Sequence, residues 1–102
     1  MEDKKVETLL QFAYKSGKLK FGYENLHKLK GKYFLILADD LSENTKKDIL
    51  KLKKFEIYFF KTKKEIGKIF GKNNVGVVAV LEDSLGTEIK RFLKDRRFYI
   101  WS

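Results

Sequence analysis

Hydrophobic positions along the chain follow two rhythms: stripes with helical spacing, and short unbroken apolar runs. Val6, Leu9, Leu10 and Ala13 recur at i, i+3, i+4 and i+7 and predict a helix over residues 2–16. Ser16-Gly17 supplies its stop. Leu19 to Phe21 reads as a short strand. Tyr23 to Lys30 predicts a short helix, entered through Gly22 and closed by Gly31, with Leu26 and Leu29 facing a core. YFLILA, Tyr33 to Ala38, is apolar throughout, the pattern of a strand covered on both faces. Asp39-Asp40 ends it. Ser42 is the N-cap expected for a helix that carries Ile49 and Leu50 to about Lys54. FEIYFF, Phe55 to Phe60, predicts a second buried strand. Thr62-x-x-Glu65 is a capping box, opening a helix through Ile66, Ile69 and Phe70 that ends at Gly71. VGVVAVL, Val75 to Leu81, predicts a third buried strand. Asp83 or Ser84 caps a last helix with Leu85, Ile89, Phe92 and Leu93 on one side. The tail RRFYIWS is either a short edge strand or a docked terminus. Strands alternating with helices, and apolar on both faces, predict an α/β sandwich with helices on both sides of the sheet.

The chain has 102 residues, enough for one domain and one ordinary core. A hydrophobic fraction of 43% argues against disorder. No apolar run approaches the roughly 20 residues of a membrane span, and MEDKKVETLL lacks the plan of a signal peptide. A cytoplasmic protein without a membrane partner is the expectation. With no cysteine and one histidine, His27, neither a disulfide nor a His/Cys zinc site can be built within this chain. No cofactor is expected.

Charge changes the picture most. Lys plus Arg number 23 against 14 Asp plus Glu, a formal net charge of +9. Such an excess favours a polyanionic partner. Five basic residues and one acidic residue occur in each of Lys46–Lys54, Lys61–Lys72 and Lys90–Arg97. In a sandwich, the loops that lead from strands into helices gather at the ends of the sheet, where helix N-termini offer N–H groups to phosphates.

Little points to catalysis. Asp39 and Asp40 are neighbours in an extended segment, so their side chains diverge. His27 has no nucleophile constellation around it. GKNNVG, Gly71 to Gly76, lacks the Lys-Ser/Thr ending of a P-loop and follows a helix where a P-loop follows a strand. The binding set is clearer. Gly22 allows close backbone approach, Asn25 offers a base-reading amide, and Lys28 and Lys32 offer phosphate contacts. Tyr23, at a helix entrance, and Phe98, Tyr99 and Trp101, beside Arg96-Arg97, are the aromatics available for base stacking, although packing is the simpler role for the tail.

Three segments carry a family resemblance. LLQFAYKSGKLKFG (Leu9 to Gly22) resembles the opening of the kink-turn-binding ribosomal protein 7Ae/30e superfamily. LILADDLSENTKKDI (Leu35 to Ile49) is similar to that family's second strand and third helix, above all in its small bacterial YlxQ-like branch. KEIGKIFGKNNVGVVAV (Lys64 to Val80) is similar to its Leu-Gly-Lys-x-x-Gly helix, the following loop and the last long strand. The resemblance implies a three-layer α–β–α sandwich around a four-stranded mixed sheet and no enzymatic activity. It also implies RNA binding between the glycine-led helix and the loop before the last long strand. Gly22 and Lys28 match the family's Gly-Thr-Asn-Glu-x-x-Lys pattern, while Tyr23, Glu24 and Asn25 stand for Thr, Asn and Glu. Lys72, Asn73 and Asn74, with Val75 and Gly76 behind them, stand where many relatives carry bulky apolar residues. These departures keep RNA binding as the expectation and make ribosomal or other structured RNA at least as well supported as a kink-turn. Ribosomal proteins are expected neighbours, and the chain is expected to be a monomer. A protein–protein adaptor on the same fold is the alternative, though adaptors of this superfamily tend to be acidic.

Overall fold

The computed structural model describes residues 2–24 and 26–99, with the backbone alone at residues 2 and 97–99. In chain order it contains α1 (Glu2–Lys15), β1 (Leu19–Phe21), a 3-10 turn (Leu26–Lys28), β2 (Tyr33–Leu37), α2 (Glu43–Lys51), β3 (Ile57–Phe59), α3 (Lys63–Ile69), β4 (Val77–Leu81), α4 (Ser84–Leu93), a second 3-10 turn (Lys94–Arg96) and β5 (Arg97–Tyr99). The strands form one mixed sheet in the order β1-β4-β2-β3-β5. Only β2 and β3 pair in parallel; β4 runs antiparallel to both β1 and β2. The expected four strands are its first four. β5 adds antiparallel to β3 at the far edge, which answers the two readings of the tail for residues 97–99. The side chains of Phe98 and Tyr99, and all of Trp101, lie outside the described residues.

Alternation along the central strands explains why the runs are apolar throughout. Phe34, Ile36 and Ala38, with Val78 and Val80, point into a core shared with Val6, Leu10 and Ala13 of α1, Ile66 and Ile69 of α3, and Ile89 and Leu93 of α4. Leu35 and Leu37, with Val77 and Ala79, point the other way, against Leu26 and Ile49 of α2. The sheet is therefore the middle of three layers. Phe34–Leu37 of β2 and Val77–Val80 of β4 are buried on both faces of the sheet, so a polar side chain at any of them would be costly.

Local signals set the helix ends. α1 closes with a Schellman motif: the Lys18 N–H donates to the Ala13 carbonyl (3.0 Å) and Gly17 N–H to Tyr14 (3.1 Å). The α3 capping box forms as expected between Thr62 and Glu65. Asp83 is the residue that caps α4, accepting from the Gly86 N–H at 2.9 Å. The helix expected over Tyr23–Lys30 shrinks to the single turn Leu26–Lys28, the α2 helix expected to about Lys54 ends at Lys51, and the strand expected over Phe55–Phe60 pairs only over Ile57–Phe59. The bonds of the single turn are of i→i+3 type, Leu26 N–H to Tyr23 and Leu29 N–H to Leu26, each 3.2 Å. Leu26 is its one fully buried anchor. Among the described residues no helix is long and apolar enough to cross a membrane.

Candidate nucleic-acid interface

β1, β2 and β3 all finish at the end of the sheet where β4 begins, because β4 pairs antiparallel to its two neighbours. Four connections gather there: the turn after Phe21, the loop Ala38–Ser42 into α2, the loop Phe60–Thr62 into α3, and the loop Gly71–Gly76. The first meets the start of β4, just beyond the last, through the Gly22 N–H, which donates to the Val77 carbonyl at 3.1 Å. Gly22 sits at φ +87°, a conformation that favours glycine, and no atom lies within 4 Å of where a Cβ would stand. Its role is thus to turn an exposed stretch of backbone whose N–H is tied to β4.

The Gly71–Gly76 loop is held from below. Gly71 ends α3 at φ +69°, and a Schellman motif follows: Lys72 N–H donates to Gly67 (2.8 Å) and Gly71 N–H to Lys68 (3.4 Å). Val75 N–H donates to the Lys63 carbonyl (3.0 Å), and the Gly76 carbonyl accepts from Ala38 N–H (2.9 Å). Lys72, Asn73 and Asn74 are therefore presented outward on a fixed backbone. Val75 is not presented: at 6% exposure its side chain belongs to the core, and it serves the interface only by anchoring the loop. Gly67 is essential to this arrangement and was not singled out from sequence. A Cβ there would stand 2.6 Å from the Lys72 carbonyl oxygen and 2.7 Å from that of Asn73. The available signal is an isolated glycine inside a helical pattern.

Tyr23 is bound to the adjacent layer. Its hydroxyl donates to Asp48 Oδ2 on α2 at 3.1 Å, and that hydrogen bond, together with the carboxylate's charge, raises the phenol's pKa. Tyr23, Glu24, His27, Asp48 and Leu52 line an open cleft of about 440 Å³ between the turn and α2. Asn25 lies outside the described residues. Lys28 is exposed on the 3-10 turn and, among the described residues, has no carboxylate partner; the same is true of Lys64, Lys68 and Lys72.

Two expectations give way. Lys32 does not join the others. It precedes β2, at the opposite end of the sheet, roughly 17 Å from the Leu37 end at 3.3 Å per residue. There it pairs with Glu82 (3.3 Å), the residue just after β4. The helix N-termini at this end are each partly occupied by side-chain caps. Ser42 Oγ accepts from Thr45 N–H at the start of α2 (3.2 Å). Thr62 Oγ1 accepts from Glu65 N–H (3.2 Å) and Asp40 Oδ1 from Lys63 N–H (2.9 Å) at the start of α3. Asp40 is thus a capping residue, and phosphate contacts at this end would fall to lysines and asparagines. Among the described residues no three His, Cys, Asp or Glu side chains are grouped to hold a metal ion.

Fold and surface together define a small basic α–β–α sandwich with two presented loops at one end of its sheet. No family model matches the chain, and no curated protein matches it. A solved structure of a protein with unknown function from Bacillus halodurans is similar to it, with a TM-score of 0.77 at 20% identity, over 88% of this chain and 97% of that one. At that identity the likeness establishes the fold alone.

Proposed function

We propose that this chain is a cytoplasmic RNA-binding protein of the ribosome or another ribonucleoprotein, which contacts structured RNA with the Gly22 turn and the Lys72–Gly76 loop. The observation that carries the reading is the Gly22–Val77 hydrogen bond. It fixes the Gly22 turn against the first residue of β4, the strand that the exposed Lys72, Asn73 and Asn74 lead into. The net charge of +9 supplies the long-range attraction for a polyanion. Irregular RNA exposes the base edges and sugars that asparagines and backbone amides read. A kink-turn fits as one such RNA, and the polar loop equally suits other folded RNAs.

The test is a salt titration of binding to a kink-turn, a plain duplex and a ribosomal RNA fragment, for the parent and for Lys28→Ala with Lys72→Ala. The parent binds with a log–log slope of about −0.7 to −0.9 per neutralised phosphate. The double variant loses about one unit of slope per lysine and keeps its thermal stability. Unchanged affinity in the variant would place the interface on another face. No binding by the parent at low salt would favour the adaptor.

A further inference from the structure

An aromatic surface lies beside the interface, around the β1 edge. Tyr14 near the end of α1, Phe21 at the end of β1 and Phe70 at the end of α3 meet edge to face. Their centroids are 5.4 Å (Tyr14–Phe21), 5.2 Å (Tyr14–Phe70) and 5.1 Å (Phe21–Phe70) apart. Phe70 is buried, Phe21 half-buried, and Tyr14 40% exposed. The Lys72 ammonium stands 5.0 Å from the Phe21 centroid and 6.0 Å from that of Tyr14. The cation of the presented loop and the exposed ring thus share one surface, and Phe21 is the chain neighbour of Gly22.

Two physical points give this surface a role. Asn73 and Asn74 stack poorly, so the loop by itself offers an unpaired base little area. Tyr14 is braced by two rings, so it loses little rotamer freedom when a base settles on it. A base there would carry its sugar–phosphate past Lys72, whose charge has no carboxylate partner among the described ion pairs. Stacking on an aromatic ring tolerates any base, because every base has a π face.

We propose that Tyr14, with Phe21 behind it and Lys72 beside it, is a stacking subsite for an unpaired nucleotide of the bound RNA. The proposal rests on the RNA-binding reading above, and the experiment separates the two. Affinity is measured for a kink-turn RNA and for the same RNA with its unpaired nucleotides made abasic, which keeps every phosphate. Parent protein prefers the intact RNA by about 5- to 150-fold. Tyr14→Leu abolishes that preference without changing the salt slope, and Tyr14→Phe retains it. Phe12→Leu also retains it: Phe12 is 58% exposed but about 200° around α1 from Tyr14. Because the readout is a ratio between two RNAs on one variant, a change in folded fraction cancels. A preference that persists in Tyr14→Leu, or is absent from a parent that binds both RNAs, overturns the stacking subsite alone. A parent that binds neither RNA at low salt overturns the RNA-binding reading and the subsite with it.

Discussion

Gly67→Ala tests how the Lys72–Gly76 loop is held. Helix propensity alone says this exposed-loop neighbour in mid-helix should gain about 1 kcal/mol from alanine. The geometry says otherwise. The new methyl would stand 2.6 Å from the Lys72 oxygen, 2.7 Å from the Asn73 oxygen and 2.9 Å from the Asn73 carbonyl carbon. All three are backbone atoms, so no side-chain rotation relieves the contact. Ordinary van der Waals separation requires the loop to retreat by roughly 0.8 Å. That movement strains the Lys72–Gly67 hydrogen bond (2.8 Å) and the Val75–Lys63 bond (3.0 Å). Overpacking of this kind costs about 1–3 kcal/mol. Net of the propensity gain, the variant loses about 1 kcal/mol, a fall in Tm of about 4–8 °C for a domain of this size. Hydrogen exchange locates the loss: the Lys72 and Val75 amides lose protection while those of β2 and β4 keep theirs. Under the proposed function, RNA affinity falls as well. A Tm that rises, with Lys72 and Val75 protection unchanged, would refute the packing of this loop on α3.

Three further outcomes follow from the structure. Asp83 is held below the usual carboxylate range by its hydrogen bond with Lys18 (2.6 Å) and by the Gly86 N–H. Its folded pKa is depressed, so its stabilisation is complete above the unfolded value near 3.9 and disappears as pH falls through the folded pKa. Asp83→Asn keeps a capping side chain, so chemical denaturation should separate it from the parent at neutral pH and find no gap in strong acid. Lys90 bridges Glu82 (2.9 Å) and Glu56 (3.0 Å) in a largely covered site. Burial disfavours its charge, but the two hydrogen-bonded carboxylates outweigh that and raise its pKa. Lys90→Met leaves both carboxylates without it and costs about 2 kcal/mol by urea unfolding, below the 3–5 kcal/mol of a fully buried pair because the site keeps some water contact. Gly22→Ala meets no atom but must hold φ +87°, so it loses about 1–2 kcal/mol by the same measurement, with β1 amide protection falling first.

Much of the fold was legible. The Val6–Leu10–Ala13 stripe, the capping box at Thr62 and the glycines at 17 and 71 act within one or two turns of the chain, and each element formed where those signals placed it. The candidate interface was legible in part. Gly22 and the loop from Lys72 to Asn74 came together, as the family resemblance implied. Lys32 did not, because nothing local tells which end of the sheet a residue beside a strand will occupy. The short helix over Tyr23–Lys30 was misjudged for a similar reason: Lys54, 25 residues away, donates to the Leu29 carbonyl at 3.2 Å, a contact that no helical spacing records. Tyr14 was unremarked because it lies off the apolar stripe of α1; its partners Phe21 and Phe70 belong to other elements.

By itself the sequence determined the periods, the caps, the two-sided strands and the positive charge, because each depends on bonds or burial patterns within a few residues. The tertiary structure alone decided the strand order β1-β4-β2-β3-β5, and with it which loops share an end of the sheet. It decided that Asp40 caps α3 and that Lys72 stands over Phe21. Those contacts join segments up to 51 residues apart. Their energies arise only when both cores close on the sheet, so no local stretch of chain encodes them.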